Sequence, residues 1–343
     1  MRLSDFRQLS SRQPILFLVV SSSIYIPTIY HIMLRGPTGS LKSLATQARL
    51  RMYSTVEKGT ALSADYRIYF KNSDGKVISP FHDIPLVARQ DNETFYNMVV
   101  EIPRWTQAKM EIATKEPFNP IKQDVKKDKL RYVSNPFPYH GYIWNYGALP
   151  QTWESPLYED PNTNSKGDND PIDVCEIGSK TLERGQVVPV KVLGVLALID
   201  DDETDWKLIV IRADDPMVEK LNDIQDVEKH MPGLLHATHE WFKIYKIPDG
   251  KPPNKFAFEG QAKDAEFARN IIRETHEQWK SLILGQPNES GLDLSNVSVE
   301  KSPHKVCPDA AAKHLDAQPE YVDKKLSEQE IEELSKICYV GSC

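Results

Sequence analysis

Cysteine is scarce in this chain. Cys175, Cys307, Cys338 and Cys343 are the four among 343 residues, and no two of them form a CxxC pair. Without a paired framework there are no structural disulfides to expect, which points to a reducing compartment and free thiols. Cys338 and Cys343, near the end, are the two that could instead bind a metal or oxidise. No GxGxxG, P-loop or HExxH motif occurs, and no internal repeat. Those absences remove the dinucleotide fold, the phosphate-cradling glycine loop, the helix-borne zinc site and the solenoids. His236 and His239 lie three apart on a helical stretch, lack an evident third ligand and read as ordinary helix residues.

Positive charge is missing from most of the chain. The formal net charge is −7, yet residues 1–53 carry Arg2, Arg7, Arg12, Arg35, Lys42, Arg49 and Arg51 against Asp5 alone. A balance of +6 there leaves −13 for residues 54–343. So acidic a body lacks the basic footprint that a nucleic-acid backbone requires. A small anionic substrate stays admissible, because bound metal ions invert the local field. Length and 40% hydrophobic content suit one large or two ordinary domains.

The amino-terminal 53 residues stand apart. Residues 14–34 are largely apolar but are broken by Ser21, Ser22, Ser23, Pro27 and His31, so the run is borderline for a membrane span of about 20 residues. Residues 34–55 are Ser/Thr-rich, basic and free of acid, with Leu41, Leu44 and Ala48 able to share a helical face. That is the composition of a mitochondrial presequence. Arg51, Met52 and Tyr53 before Ser54 resemble a matrix-peptidase cleavage site, and Met33 is an alternative start. The alternatives are a disordered tail and, fitting less well, a secretory signal, because no small-residue cleavage site follows the apolar run cleanly.

The body reads first as strands. Residues 65–70 and 76–79 flank the turn 72–75 and form a hairpin. Residues 95–102 are a strand ended by Pro103. Residues 108–112 alternate, placing Lys109 and Glu111 on one face and Met110 and Ile112 on the other; the charged face is either solvated or part of a site. Residues 130–133 are a short strand carrying Arg131. Residues 136–150 mix Phe137, Tyr139, Tyr142, Trp144 and Tyr146 with Gly141, Gly147 and three prolines. They read as an ordered loop whose rings either pack in the core or offer phenols to an anion. Residues 187–199 are a nearly continuous apolar strand with a bulge expected at Gly194. It turns through an acidic segment, 200–205, and pairs back along 206–211. Then the character changes. Residues 218–221 and 224–230 read as short helices, 234–245 as an amphipathic helix, and 262–284 as a long one with Phe267, Ile271, Ile272 and Trp279 facing inward. Beyond residue 285 the chain is polar and poor in aromatics, a wrapping tail. Within it Ser327 and Glu330 form a capping-box signature.

One stretch organises the rest. Asp168, Asp170 and Asp173 lie within six residues, between Gly167 and Val174. Carboxylates so close repel unless protons or a cation intervene. Mg²⁺ prefers a few carboxylates plus water and phosphate. An EF-hand loop does not fit, since its fifth and sixth positions would be Ile172 and Asp173 rather than an oxygen ligand and Gly. The alternatives are an acidic surface turn and a metal site. A second acidic cluster at 200–205, with basic residues and tyrosines spread over the other strands, suits metals and a polyanion side by side, as phosphoryl transfer requires.

Asp168 to Val174 is similar to the signature of family I soluble inorganic pyrophosphatases. The resemblance extends over FHDIP at 81–85, VVEIPRW at 99–105, HGYIWNYG at 140–147, ETDWK at 203–207 and WFKIYKIPDG at 241–250. It covers about residues 62–285, points to the eukaryotic branch and, with the presequence, to a mitochondrial form. It implies a mainly β (α+β) domain, a five-stranded closed OB-like β-barrel with flanking helices, and a homodimer. The division would be 1–53 presequence, 54–290 catalytic domain and 291–343 tail. Several Mg²⁺ ions per site are implied. Asp168, Asp173 and Asp205 would bind the tightest ion, and Asp173 also the second. Asp200, with Asp205, and Glu111 would meet ions arriving with pyrophosphate. Asp170 would be the general base, taking a proton from a metal-activated water in an in-line attack. Lys109, Arg131, Tyr146, Lys207, Tyr245 and Lys246 would hold the phosphoryl groups, supported by Glu101, Asp124 and Tyr142. Trp144 departs from the pattern, which leads to a polar residue such as His there and bears on local packing or metal tuning. The matrix is the implied location. An inner-membrane association, peripheral or tethered through 14–34, stays open. The rivals are another Mg²⁺-dependent phosphohydrolase, for which no nucleoside-binding feature is legible, and a non-catalytic OB-type nucleic-acid module, against which the acidic body argues.

Overall fold

The computed structural model describes residues 53–90, 93–285 and 291–340. The expected presequence with its apolar run, apart from Tyr53, and Cys343 lie outside them. Within the described residues the chain order is β1 (Ser54–Lys58), β2 (Arg67–Lys71), β3 (Val77–Ile78), β4 (Val87–Gln90), β5 (Thr94–Ile102), β6 (Met110–Ile112), β7 (Ile121–Gln123), β8 (Asn145–Ala148), β9 (Asp173–Glu176), β10 (Val187–Asp200) and β11 (Glu203–Arg212). Helices follow: α1 (Ile224–His230), α2 (Leu234–Ile244), α3 (Ala265–Leu284), α4 (Pro308–Asp316) and α5 (Glu328–Ser335). The protein is therefore mainly β with few helices. No helix among the described residues is long and apolar enough to cross a membrane.

Two sheets carry the fold. In the smaller, β1, β2, β7 and β6 lie side by side with β3 on β2. In the larger, β10 pairs antiparallel with β11, β11 parallel with β9, β9 antiparallel with β8, and β8 antiparallel with β5. The first residues of β10, Val187 to Val190, then pair with β5. The path of pairings thus returns to the strand it started from. β10 is long enough, at 14 residues, to serve two neighbours because its register shifts between Val192 and Gly194. Gly194 is required at that step, since a Cβ there would lie 2.5 Å from the Lys263 carbonyl oxygen.

Both faces of these strands are buried. Ile209 and Ile211 point into one apolar cluster with Leu196, Trp241 and Phe242. Leu208 and Val210 point into another, closed by Ala268, Ile271 and Ile272 of α3. Two covered faces explain why β10 and β11 read as continuous apolar runs rather than alternating ones. α3 starts where Asp264 caps it by accepting from the Phe267 N–H, and its buried side recurs at 268, 271, 272, 275 and 279, the helical period.

Several sequence expectations shift. Residues 218–221 form turns rather than a helix. Val218 and Leu221 enter the core, and so short a segment after Pro216 does not repay the cost of nucleating a helix. The strand expected at 130–133 is reduced to Lys129–Leu130, paired with Val125–Lys126, with Tyr132 bridging to Ala108. The ordered loop 136–150 contains strand β8, because its glycine-bearing segment fits between β5 and β9. The C-terminal residues wrap the body: Ala311 and Leu315 of α4 pack on Tyr69, Val77 and Phe118. α5 begins with the capping box of Ser327 and Glu330. Cys175, Cys307 and Cys338 are free thiols.

Gly147 marks the closest approach of β8 to β5. A Cβ there would lie 1.9 Å from the Val99 carbonyl oxygen, a backbone atom that cannot move without disturbing the pairing. Gly147→Ala is expected to lower the unfolding free energy by about 1–3 kcal/mol or more, as overpacking does. Urea denaturation monitored by tryptophan fluorescence reads this, and an unchanged midpoint would contradict the close approach.

Candidate active site

The parallel register of β9 and β11 sets Asp173 opposite Lys207. The Lys207 ammonium reaches the Asp173 carboxylate at 2.5 Å and the Tyr146 hydroxyl at 3.0 Å, and it also binds Asp205. Tyr146, on β8, donates to Asp173 as well, at 2.5 Å. Four side chains from three strands are therefore tied at one point.

Other elements deliver their groups to the same place. Period two on and before β6 brings Lys109 and Glu111 together, with Nζ and carboxylate oxygen 3.6 Å apart. The Lys109 N–H donates to the Arg131 carbonyl at 3.0 Å, which sets Arg131 beside it. From the end of α2, the Tyr245 hydroxyl donates to Asp200 at 3.0 Å and Lys246 pairs with the same carboxylate. Glu101 on β5 accepts from the Ile112 N–H at 2.7 Å.

The acidic loop is held by its own backbone. Asn169 has φ 73°, a left-handed conformation that Asn tolerates, and its side chain accepts from the Trp153 indole at 3.0 Å. The Asn169 N–H donates to the Glu154 carbonyl and the Glu154 N–H to the Asp170 carbonyl, each at 2.9 Å. The cleft beyond has a volume of about 250 Å³, and Asp168, Asp170 and Asp173 all line it. So do Glu101, Lys109, Glu111, Arg131, Tyr142, Tyr146, Asp200, Asp205, Lys207, Tyr245 and Lys246. Asp124 does not line it. It stands behind Arg131, whose guanidinium it accepts from at 3.0 Å.

Glu154 was not legible in the sequence as a site residue. It is 3% exposed; one carboxylate oxygen accepts from the Trp206 N–H at 2.9 Å, and the other is buried without a hydrogen-bond partner. Oxygens of Glu154, Asp168 and Asp205 lie within 4.8 Å of one another. An uncompensated buried acceptor among three carboxylates fits a hard divalent cation, which takes oxygen ligands. Asp173, Glu111 and Asp200 lie in the cleft outside this trio, each paired with a lysine. Glu203, Trp241 and Phe242, each inside a stretch that carries the family resemblance but not given a site role there, also line the cleft. Trp144 sits behind it, stacked on Phe242 with ring centroids 4.8 Å apart and donating to the Thr238 hydroxyl at 2.9 Å. Its effect is on packing.

The electrostatics separate the carboxyl groups. Burial resists charge on Asp173, but Lys207 and Lys109 outweigh it and hold the group below the usual carboxylate range. Burial, with Asp173 beside it, pushes Asp205 up to about 7 despite Lys207. Asp170 is open to the cleft water yet ringed by protein; that desolvation, then Glu111, pushes it up to about 7. Burial pushes Glu101 up to about 8 and the Tyr142 phenol to about 12. Lys207 is buried and Lys109 half-buried, which disfavours their charge, but the surrounding anionic groups keep both raised and protonated.

The stretch of sequence that supplies the cleft's acids, cations and phenols matches one family. The sequence model of inorganic pyrophosphatase matches residues 98–280. The chain belongs to the inorganic pyrophosphatase family. The inorganic pyrophosphatase of Drosophila melanogaster is 58% identical over 271 residues, 79% of this chain and 80% of that one. The protein named inorganic pyrophosphatase 2, mitochondrial, of Mus musculus is 56% identical over 268 residues, 74% of this chain and 81% of that one. Among solved structures, the inorganic pyrophosphatase of Schistosoma japonicum superposes with TM-score 0.78 at 50% identity, over 84% of this chain and all of that one.

Carboxyl groups that are partly protonated at pH 7 must lose those protons when a cation binds. Divalent-cation binding to this pyrophosphatase-family chain is therefore expected to release protons at pH 7. The release should shrink toward pH 9, where Asp205, a member of the carboxylate trio, is already ionised. Calorimetric titration in buffers of different ionisation enthalpy measures this. Proton release that does not fall with rising pH would contradict the raised values.

Proposed function

We propose that the chain hydrolyses inorganic pyrophosphate to two orthophosphates, with Mg²⁺, in mitochondria. The observation that carries the reading is the sharing of one cleft by the acidic groups and by Lys109, Arg131, Tyr146, Lys207, Tyr245 and Lys246. A pyrophosphatase from Trypanosoma cruzi described as a complex with PPi is 44% identical over 73% of this chain, with TM-score 0.63, which supports pyrophosphate as the substrate.

Asp168, Asp205 and Glu154 would hold the first Mg²⁺, and Asp173, Asp200 and Glu111 further ions. Bound Mg²⁺ neutralises phosphate charge and makes the attacking water more acidic. The chain's own groups do the rest. The lysines and Arg131 place positive charge at the phosphoryl oxygens, and the phenols of Tyr146 and Tyr245 donate to them. Asp170, unpaired with any lysine among the described residues and open to the cleft, takes the proton of the attacking water. An acid near 7 is well matched to that task at neutral pH. In-line geometry follows if the water enters beside Asp170 and the leaving phosphate faces the cations.

The pairings that return to β10 support a closed, five-stranded OB-like barrel. Residues 54–290 would be the catalytic domain and 291–343 its tail. The mitochondrial relative and the basic, acid-poor residues 1–53 support cleavage before Ser54 and a matrix location. A homodimer rests on the family resemblance alone, and the apolar run 14–34 leaves room for an inner-membrane association.

Purified residues 54–343 are expected to release phosphate from pyrophosphate with Mg²⁺, far faster than from ATP, and not with EDTA. A folded protein that releases none would sink the reading. Asp170→Asn is expected to cut turnover by about 10²-fold or more while leaving Mg²⁺ affinity nearly unchanged. Equal losses in turnover and metal binding would remove Asp170 from the role of base.

A further inference from the structure

The Asp170 carboxylate has one hydrogen-bond donor among the described residues. The Thr114 hydroxyl donates to its Oδ1 at 3.2 Å. The main chain of Asp170 is fixed separately, its N–H by the Asp168 carboxylate at 3.0 Å and its carbonyl by the Glu154 N–H at 2.9 Å. Those bonds leave the side-chain rotamer free; the hydroxyl is what restrains it.

Thr114 is itself unusually well held. It is 8% exposed and follows β6 in a turn closed by the Ala113 N–H on the Pro120 carbonyl at 2.8 Å. Its carbonyl accepts twice, from the Asn119 side-chain amide at 3.2 Å and from the Asp293 N–H at 2.8 Å. Asn119 is fully buried, accepts from the Ser79 hydroxyl at 2.6 Å and donates to the Asp293 carbonyl at 3.1 Å. The same carbonyl lies 3.1 Å from His82 Nε2. A buried network thus joins the segment after α3, the turn after β6 and the acidic loop, and Thr114 is the member that reaches the cleft-lining Asp170.

We propose that Thr114 is a positioning residue for the reaction, orienting the Asp170 carboxylate toward the attacking water. The inference rests on the role given to Asp170 above. Nothing else in the described residues receives the Thr114 hydroxyl, so the shape-conserving Thr114→Val removes one hydrogen bond and keeps the backbone network. Charged acceptors make the stronger hydrogen bonds, and small misplacements of reacting groups are costly in rate.

The test compares Thr114→Val and Thr114→Ser with the unvaried protein, at saturating Mg²⁺. The expected result for Thr114→Val is a kcat about tenfold lower, on the scale of one lost hydrogen bond to a charged group. The KM for magnesium pyrophosphate, the Mg²⁺ affinity and the melting temperature should stay close to those of the unvaried protein. Thr114→Ser, which restores the hydroxyl, should recover most of the kcat. An unchanged kcat in Thr114→Val overturns the proposal. So does a loss confined to KM or Mg²⁺ affinity, or an equal kcat loss in both variants accompanied by lower melting temperatures. Crystal structures of the metal-free Thr114→Val and unvaried proteins give a readout independent of turnover. A turned or disordered Asp170 carboxylate in the variant supports the inference, and an unmoved one overturns it. Were the unvaried protein to leave pyrophosphate intact, the catalytic reading would fail, and this structural comparison would still decide whether Thr114 orients Asp170.

Discussion

The buried ammonium of Lys207 is the constraint on which the site depends. A cation away from water is costly unless it is paired and hydrogen-bonded. Lys207 meets that demand with Asp205 on its own strand, Asp173 on the neighbouring β9 and Tyr146 on β8, one strand further along the sheet path. The pairing of β9 with β11 must therefore keep one register, since a slip by one residue would turn Asp173 to the opposite face. That same knot decides the charge state of the acids. Asp173, next to two lysines, stays ionised, whereas Asp205 and Asp170, penalised by desolvation and by other carboxylates, are held close to neutral pH. Carboxyl groups with separated proton affinities in one cleft are the arrangement from which acid–base roles are assigned.

The apolar framework exists to hold that register. Strands β10 and β11 bury both faces, one against α2 and its aromatic residues and the other against α3. Gly147 and Gly194 let backbones approach where no side chain would fit. Tyr146, Asp173, Asp205 and Lys207 therefore sit on rigid strands, whereas Asp168 and Asp170 come from a loop. That loop is fastened in turn by Trp153, Glu154 and the left-handed Asn169, so its acids are held nearly as firmly as those on strands. The C-terminal residues add a further layer. Asp83 accepts from the N–H groups of Val297 and Ser298, and His82, pushed down to about 3 by burial, accepts from the Trp279 indole at 3.0 Å. A neutral imidazole there is what lets one ring join α3 to the segment after it.

Much of this was legible in the chain before folding. Period two placed Lys109 and Glu111 on one face, the acidic spacing of 168, 170 and 173 pointed to a surface turn or a metal site, and the long apolar run with its central glycine marked a bulged strand. These are local signals, carried by neighbours in sequence. The failures were of the opposite kind. Residues 218–221 have helical composition but too few residues to form a helix, so tertiary packing set their shape. The strand expected at 130–133 likewise shrank to Lys129–Leu130, its extent set by pairing with Val125–Lys126.

What the sequence by itself determined is the chemistry available: which acids, cations and phenols exist, and which of them a strand or turn presents together. The tertiary structure alone decided which of them meet. Glu154 joins Asp168 and Asp205 only because β11 runs beside the acidic loop, and Thr114 reaches Asp170 across 56 positions of chain. Neither pairing has a local periodicity to betray it, since both depend on strand register and loop closure. Those are set by the burial of the whole core and not by any single stretch.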